Sequence, residues 1–258
     1  MKEETIKKLV KREYGKIAQN SLCRTLPCVS CCTTLSKEIG YREEDLTSAP
    51  QGANLGLGCG NPVAIASLKE GDTVVDLGCG AGFDCFLAAK AVGENGRVIG
   101  VDMTLEMIEK ARENARKGNY PQVEFRLGEI ESLPIGDNTA DVVISNCVIN
   151  LSPNKEKAFA EAFRILKPSG QLHVSDLVLN GNLPTSIKGS IEAYIGCVAG
   201  AVKKEAYLAA IKKAGFENIL IVKELSYPLH KILSSFASSD IIGEELQITS
   251  IHISAQKP

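Results

Sequence analysis

Thr73-Val-Val-Asp-Leu-Gly-Cys-Gly-Ala-Gly-Phe-Asp-Cys-Phe-Leu-Ala-Ala-Lys90 decides the fold. Its β-branched, apolar start (Val74, Val75, Leu77) reads as a buried strand. Gly78, Gly80 and Gly82 follow as a tight turn, and from Phe83 the apolar residues recur at helical spacing. A strand, a glycine turn and a helix in that order begin a doubly wound α/β unit. In such a fold the glycines let backbone approach a ligand at the carboxyl end of the strand.

The spacing selects among ligands. A dinucleotide fingerprint reads Gly-x-Gly-x-x-Gly, whereas this chain reads Asp-x-Gly-x-Gly-x-Gly, with Asp76 inside the strand end. Asp102 closes the next apolar run, Arg97-Val-Ile-Gly-Val-Asp102, at the place of a ribose-binding acid. The two acids with these glycines resemble the S-adenosylmethionine site of a Rossmann-like class I methyltransferase, and are preferred to an NAD site.

At 258 residues the chain suits one large α/β domain with small appendages. A formal charge of −2 and a pI near 6.0 give no basic footprint for nucleic acid. No apolar run approaches the ~18 residues that span a bilayer. The N-terminus is charged and amphipathic rather than a secretory leader, which predicts a cytoplasmic protein. In that reducing compartment, nine cysteines point to metal binding or catalysis before structural disulfides.

Residues 4–19 predict a first helix, with Ile6, Leu9, Val10, Tyr14 and Ile17 on one face. A cysteine-dense loop follows, Cys23-Arg-Thr-Leu-Pro-Cys-Val-Ser-Cys-Cys32, then polar loop with a short helical turn as far as Pro50. Gln51-Gly-Ala-Asn-Leu-Gly-Leu-Gly-Cys-Gly-Asn-Pro62 is a second glycine-rich loop, and Pro62 suits the first turn of a helix to Leu68. Residues 1–70 thus predict a helical, cysteine-rich cap over a methyltransferase domain at 71–258. Strands are expected at 73–77, 97–101, 123–127, 141–146 and 170–178, and helices at 83–92, 104–117 and 155–167. Thr104 is expected to cap the second of those helices, and Lys167-Pro-Ser-Gly170 to stop the third. Further helices are expected from Pro184 to Cys197 and over 203–214. Ile219–Val222 and the alternating Gln247–Ser254 complete a mostly parallel sheet with a C-terminal antiparallel strand.

Four strand ends converge on one crevice in this reading. They deliver Gly78 and Gly80, then Asp102 and Met103, then Glu129 and Ile130, then Asn146 and Cys147. Glu129 is placed to accept from an adenine amino group and Ile130 to cover its ring. Cys147 taken alone would be a buried structural cysteine. Cys197 and Cys59, however, also lie beside glycines (Gly196; Gly58 and Gly60), and small neighbours leave sulfur accessible. Cys79 and Cys85 read as packing, His173 and His252 as packing or surface residues within strands, and the three histidines, with His230, form no ligand pattern.

Ser145-Asn-Cys-Val-Ile-Asn-Leu-Ser152, Gly196-Cys-Val-Ala-Gly-Ala201 and Leu57-Gly-Cys-Gly60, set around Asp76 and Asp102, resemble the arsenite S-adenosylmethionine methyltransferases from about residue 50 to 220. Leu57 departs from the aromatic residue such proteins often carry before Gly-Cys-Gly. The resemblance implies Cys147 and Cys197 as principal As(III) thiolate ligands, Cys59 as a third redox-active thiol, and Cys31 or Cys32 as a disulfide-exchanging fourth. It implies arsenite or methylarsenite as substrate, and a thiol reductant, with thioredoxin or glutathione as candidate donors. Soft, thiophilic As(III) suits several thiolates. A structural zinc site on Cys23, Cys28, Cys31 and Cys32 is the competing reading of the N-terminal cluster. The rival functions are a methyltransferase for an organic acceptor, which would not need Cys59, Cys147 and Cys197 together, and a thiol-based arsenic sensor or buffer, against which the intact cofactor motif argues.

Overall fold

A computed structural model of the chain describes residues 3–19, 28–183, 187, 190–226 and 247–258. Five parallel strands form the sheet's main part: β1 (Thr73–Leu77), β2 (Arg97–Asp102), β3 (Val123–Leu127), β4 (Ala140–Asn146) and β5 (Leu166–Asn180). A two-residue strand, β6 (Val202–Lys203), extends the edge of β5, and β7 (Glu217–Ser226) and β8 (Gln247–Gln256) complete the sheet. The order is β3-β2-β1-β4-β5-β8-β7, with β8 antiparallel to both of its neighbours. The chain leaves β1 on one side and returns on the other at β4, which opens a crevice at the carboxyl ends of these two strands. Val74, Val75, Asp76 and Leu77 are all buried, as expected of a central parallel strand covered on both faces.

The covering helices follow their sequences closely. The helix α5 (Phe83–Val92) is apolar almost all round and is buried, whereas α6 (Leu105–Gly118) turns only Met107, Ile108, Ala111, Asn114 and Ala115 inward. Thr104 stands at the N-cap of α6 without a side-chain cap bond, and its backbone amide donates to the Asp102 carboxylate at 2.8 Å. The helix α7 (Lys155–Ile165) is capped by Asn154, whose Oδ1 accepts from Lys157 N at 3.0 Å. It stops two residues short of the expected end, because Leu166 is already extended ahead of Pro168.

In the cap, α1 (Glu3–Gln19) matches its predicted span, while two other expectations change. The cysteine-dense stretch is helical from Cys28, as α2 (Cys28–Glu38), and is followed by α3 (Glu43–Ser48). The helix α4 (Pro62–Ile65) ends earlier than Leu68, since Ala66 adopts extended backbone. Cys23, and the side chains of Cys28, Cys31 and Cys32, lie outside the described residues, as do the zinc and thiol-exchange readings placed on them. So do Pro184, at the start of an expected helix, and His230. Of that expected helix, α8 (Ile191–Ile195) is described, and α9 (Lys204–Lys213) occupies the next predicted span.

The apolar core divides by layer. One cluster lies between the sheet and α7 and α9, with Phe159, Ile165, Leu172, Tyr207 and Ile253. A second lies beneath α5 and α6 around Phe86, Ile108 and Phe125. A third collects at the carboxyl end of the sheet, where Val10 of α1 packs with Cys59, Cys147, Leu151, Tyr194, Cys197 and Ile248. The cap is therefore built onto the sheet by the same cluster that contains the thiols.

Candidate active site

The crevice is framed by the glycine turn and the acid that follows β2. Gly78 and Cys79 donate their amides to Val101 O at 2.7 and 3.0 Å, which folds the turn back over β2. The carboxylate of Asp102 accepts from Gly80 N at 3.0 Å and Thr104 N at 2.8 Å. Gly80 has φ +52, and a Cβ there would meet nothing within 4 Å, so bare backbone faces the open cleft. Gly82, at φ +93, is required for a second reason: a Cβ would strike Phe125 and Phe86.

Three aspartates define the electrostatics of this cleft, Asp76 and Asp84 buried and Asp102 half-buried. Burial pushes each pKa upward, Asp84 to about 6. Their hydrogen-bond partners are uncharged: Cys85 Sγ donates to Asp76 at 3.2 Å, and Tyr41 OH and Asn146 Nδ2 donate to Asp84 at 2.6 and 3.0 Å. Lys7 is the one cationic side chain among the described lining residues, and its Nζ is held by Glu129 at 2.8 Å and Glu131 at 3.2 Å. Such a cleft disfavours a pyrophosphate and suits a ligand bearing positive charge. S-adenosylmethionine, with an ammonium and a sulfonium, fits this donor set. A nicotinamide dinucleotide does not.

Three of the cysteines singled out in the sequence, Cys59, Cys147 and Cys197, meet in one cluster beside the cleft, and Cys147 lines it. Cys147 follows β4, Cys197 follows α8, and Cys59 arrives on the cap's glycine loop. All three are buried. The Sγ of Cys59, the Sγ of Cys147 and a carboxylate oxygen of Asp176 lie within 4.8 Å of one another. Cys197 Sγ donates to the carbonyl of Cys147 at 2.8 Å. Cys147 and Cys197 both hold left-handed backbone, at φ +61 and +62. Non-glycine residues in that region cost about 1–2 kcal/mol each, which functional sites tolerate more often than packing does.

Cys59 is fixed from every side. Its amide donates to Asn146 Oδ1 at 3.1 Å, its Sγ to Ser175 O at 3.4 Å, and its carbonyl accepts from Ser250 Oγ at 2.7 Å. The next residue, Gly60, packs so closely that a Cβ would reach Ser175 and His252. Burial pushes the Cys59 thiol up to about 12 and the Cys147 thiol in the same direction. For Cys197 the hydrogen bond with Cys147 acts first and burial second, again upward. At neutral pH the site therefore presents thiols, which can exchange with the hydroxyls of arsenous acid and release water.

Asn146 joins the two halves of the site. Besides accepting from Cys59, its Nδ2 donates to Tyr41 OH at 2.8 Å, Gly60 O at 2.8 Å and Asp84 at 3.0 Å. Met103 and Ile130 both line the cleft, and Met103 packs against the thiol cluster. Glu129 is placed differently from its expected adenine contact. Its carboxylate is bound by Lys7 at 2.8 Å and Lys11 at 3.0 Å, and its neighbour Glu131 lines the cleft instead. Cys79 and Cys85 are buried as packing residues, although Cys79 also borders the cleft. His173 and His252 are buried within β5 and β8, where burial lowers each to about 4.

Sequence reasoning missed Asp176, Asp84 and Tyr41. A charged residue inside the expected strand 170–178 was a signal for Asp176. Asp84 stood in the deciding stretch itself, in the first turn of α5. Tyr41 carried no local signal, since only the folding of the cap brings it to Asp84.

Comparison with known proteins agrees with this geometry. A family model described as a methyltransferase domain matches residues 68–215, more than half of the chain. The chain is 47% identical over 223 residues to the arsenite methyltransferase of Halobacterium salinarum, covering 86% of this chain and 56% of that protein. It is 33% identical to human arsenite methyltransferase, covering 84% and 59% respectively. The chain thus spans somewhat more than half the length of the curated relatives it matches. Among solved structures, an arsenic(III) S-adenosylmethionine methyltransferase from Chlamydomonas reinhardtii superposes with a TM-score of 0.65 at 32% identity, over 85% of this chain and 72% of that one. With that much of a solved relative matched at that identity, the chain belongs to the arsenite S-adenosylmethionine methyltransferase family.

Proposed function

We propose that this chain transfers methyl groups from S-adenosylmethionine to trivalent arsenic held by Cys59, Cys147 and Cys197. The observation that carries the reading is the meeting of Cys59 and Cys147, from the cap and from β4, beside an acid-lined cleft suited to a cationic ligand. When bound, S-adenosylmethionine supplies an electrophilic methyl group on a sulfonium.

The chain's own residues do the rest. Asp102 and the Gly78–Gly80 turn present acceptors and open backbone to the cofactor, with Asp76, Met103, Ile130 and Asn146 around them. The thiols exchange with arsenous acid hydroxyls, each S–H proton leaving with a hydroxyl as water. Trivalent arsenic so held keeps a lone pair that can take the methyl carbon without a general base. Positioning is then the main catalytic device, for which reacting atoms held ~3–3.5 Å apart can gain roughly 7–11 kcal/mol. Return of methylated arsenic to the trivalent state takes two electrons, which two thiols supply as they close to a disulfide. Cys31 or Cys32, and an external donor of the thioredoxin or glutathione kind, are the exchange partners in this reading.

The same reading assigns no nucleic-acid partner, on the pI near 6.0, and a cytoplasmic site, on the accumulation of thiols. Among the described residues, no helix is long and apolar enough to cross a membrane. It treats residues 1–70 as the cap and 71–258 as the methyltransferase domain.

The test is a methyl-transfer assay with labelled S-adenosylmethionine, As(III) and a thiol reductant, run on wild type, Cys147→Ser and Cys197→Ser. Methylated arsenic from wild type, reduced at least 100-fold in both variants, is the expected outcome. Arsenic binding without cofactor consumption in wild type would point to a sensor or buffer. Cofactor binding with no arsenic-dependent turnover would refute the proposal.

A further inference from the structure

Asp176 is a buried charge that the reading above does not use. It sits within β5 with no exposed surface, after Ser175 and before the apolar Leu177-Val-Leu179. Its Oδ1 accepts from Asn150 Nδ2 at 2.7 Å and Leu177 N at 2.9 Å. Its Oδ2 accepts from Tyr207 OH at 2.9 Å and Asn150 N at 3.2 Å. These four donors are all uncharged, and among the described residues no lysine, arginine or histidine forms an ion pair with it. Lys155, the nearby cation, directs its Nζ to the carbonyls of Ser152 and Asn150. A carboxylate so placed costs stability unless something compensates it, and apolar replacement of such groups is often neutral or better. It is nevertheless held rigidly, within 4.8 Å of the sulfurs of Cys59 and Cys147.

Lys155 acts on this carboxylate only through space, and the chemistry proposed for this site produces a cation beside the carboxylate itself. As arsenic takes the methyl group, its lone pair forms the As–C bond while the C–S bond breaks and leaves its electron pair on the departing sulfur. Arsenic becomes four-coordinate and carries the positive charge formerly on that sulfur. Deepening the arsenic methyltransferase reading and resting on it, we infer that the Asp176 carboxylate is the counter-charge to the arsenic centre as it becomes cationic. Trivalent arsenic bound by thiolates is neutral, so the attraction is strongest once charge has moved onto arsenic. Interactions that grow toward the transition state raise kcat, whereas uniform ones only tighten binding. The four donors fix the carboxylate in advance, so no reorganisation accompanies the step.

A purely architectural role would look different. Asp176 also ties the turn after Cys147 to β5 through Asn150, and loss of that tie would disturb the thiols and weaken arsenic binding. The discriminating experiment therefore measures three quantities on the full chain. They are the As(III) dissociation constant by equilibrium dialysis without cofactor, the thermal midpoint, and kcat at saturating arsenite and S-adenosylmethionine. For Asp176→Asn, kcat is expected to fall about 100-fold, in the range found when one preorganised electrostatic group is removed. The As(III) dissociation constant should stay within about threefold. The swap D176N/N150D keeps the Asn–Asp hydrogen bond and the buried negative charge, and is expected to recover kcat to within about tenfold of wild type.

A kcat for D176N within threefold of wild type would overturn the inference, as would a loss of As(III) affinity that accounts for the whole defect. If D176N does not fold, the swap decides. A folded swap that binds As(III) and turns over within tenfold supports the counter-charge, and one that binds As(III) with kcat reduced more than 100-fold overturns it. Wild type in the same assay separates the two levels, because absence of methylated arsenic there is a failure of the functional reading rather than of this one.

Discussion

At the scale of single residues, the thiols are chemically unlike free cysteine. Burial holds Cys59 up to about 12 against an ordinary 9.0. Between those values the unfolded chain releases the proton while the folded chain keeps it, so the folded state binds more protons. The thiol's contribution to stability is thus intact below pH 9 and is lost as pH rises toward 12, by up to about 1.4 kcal/mol per pH unit. Urea unfolding under reductant at pH 8, 9 and 10 should show wild type losing stability faster than Cys59→Ser, with the gap changing by about 1 kcal/mol between pH 9 and 10. A gap independent of pH would mean that Cys59 ionises as freely in the fold as outside it. The candidate thiols were legible in the sequence because Cys59 and Cys197 stand next to glycine and Cys147 follows an apolar strand, and both are local signals. The left-handed backbone of Cys147 and Cys197 was not, nor was the meeting of Cys59 with Cys147 and Asp176, since these arise only when distant segments come together, as Cys59 does with Asn146.

At the scale of elements, α1 shows how a correctly read helix can change the reading of a distant residue. Its apolar face was plain from the 3.6-residue period, and it packs Leu9 and Val10 inward. Its polar face carries Lys7 and Lys11, which meet Glu129 after β3, while Tyr14 OH donates to Ile195 O at 3.1 Å. The lysine hydrogen bonds hold Glu129 below the usual carboxylate range. The loop after β3 is thereby fastened to the cap, and Glu129 serves as the latch. A double-mutant cycle between Glu129→Ala and the pair K7A/K11A should give a coupling of about 0.5–1 kcal/mol in unfolding free energy at low salt, because these groups are partly exposed. In 1 M salt, where the Debye length is about 3 Å, most of that coupling should vanish. Additive effects would show that the latch contributes nothing. By contrast α2 was missed, because Cys-Val-Ser-Cys-Cys-Thr-Thr-Leu-Ser-Lys-Glu has no apolar period. A buried Ser36, bonded to Asn54, stands where a periodic pattern would place an apolar residue.

At the scale of the whole molecule, alternation of strands and helices made the parallel half of the sheet readable, since such connections leave few topologies open. The insertion of β8 between β5 and β7 was not readable, because an antiparallel strand carries no mark of which edge it joins. That insertion matters to the site: β8 brings Ser250 to the Cys59 carbonyl, so the end of the sheet supports the cap's thiol. The cap and sheet are joined again at Asn146, which bonds Tyr41, Cys59 and Gly60 on one side and Asp84 on the other. Two linkages through one thiol loop predict that the cap and the sheet unfold together in wild type. Asn146→Ala removes the shared node and leaves the Cys59 amide and a buried Asp84 oxygen without it. At roughly 1–3 kcal/mol for a buried polar group left unpaired, the loss should be about 2–4 kcal/mol. For a chain of this size that corresponds to a fall in thermal midpoint of roughly 5–15 °C. A fluorophore on the cap and far-UV circular dichroism of the whole chain should give one coincident transition in wild type. In the variant the cap signal should melt first, because the sheet retains its core while the cap has lost its anchor. Coincident transitions in both proteins, with an unchanged midpoint, would show that the cap is held by apolar packing alone.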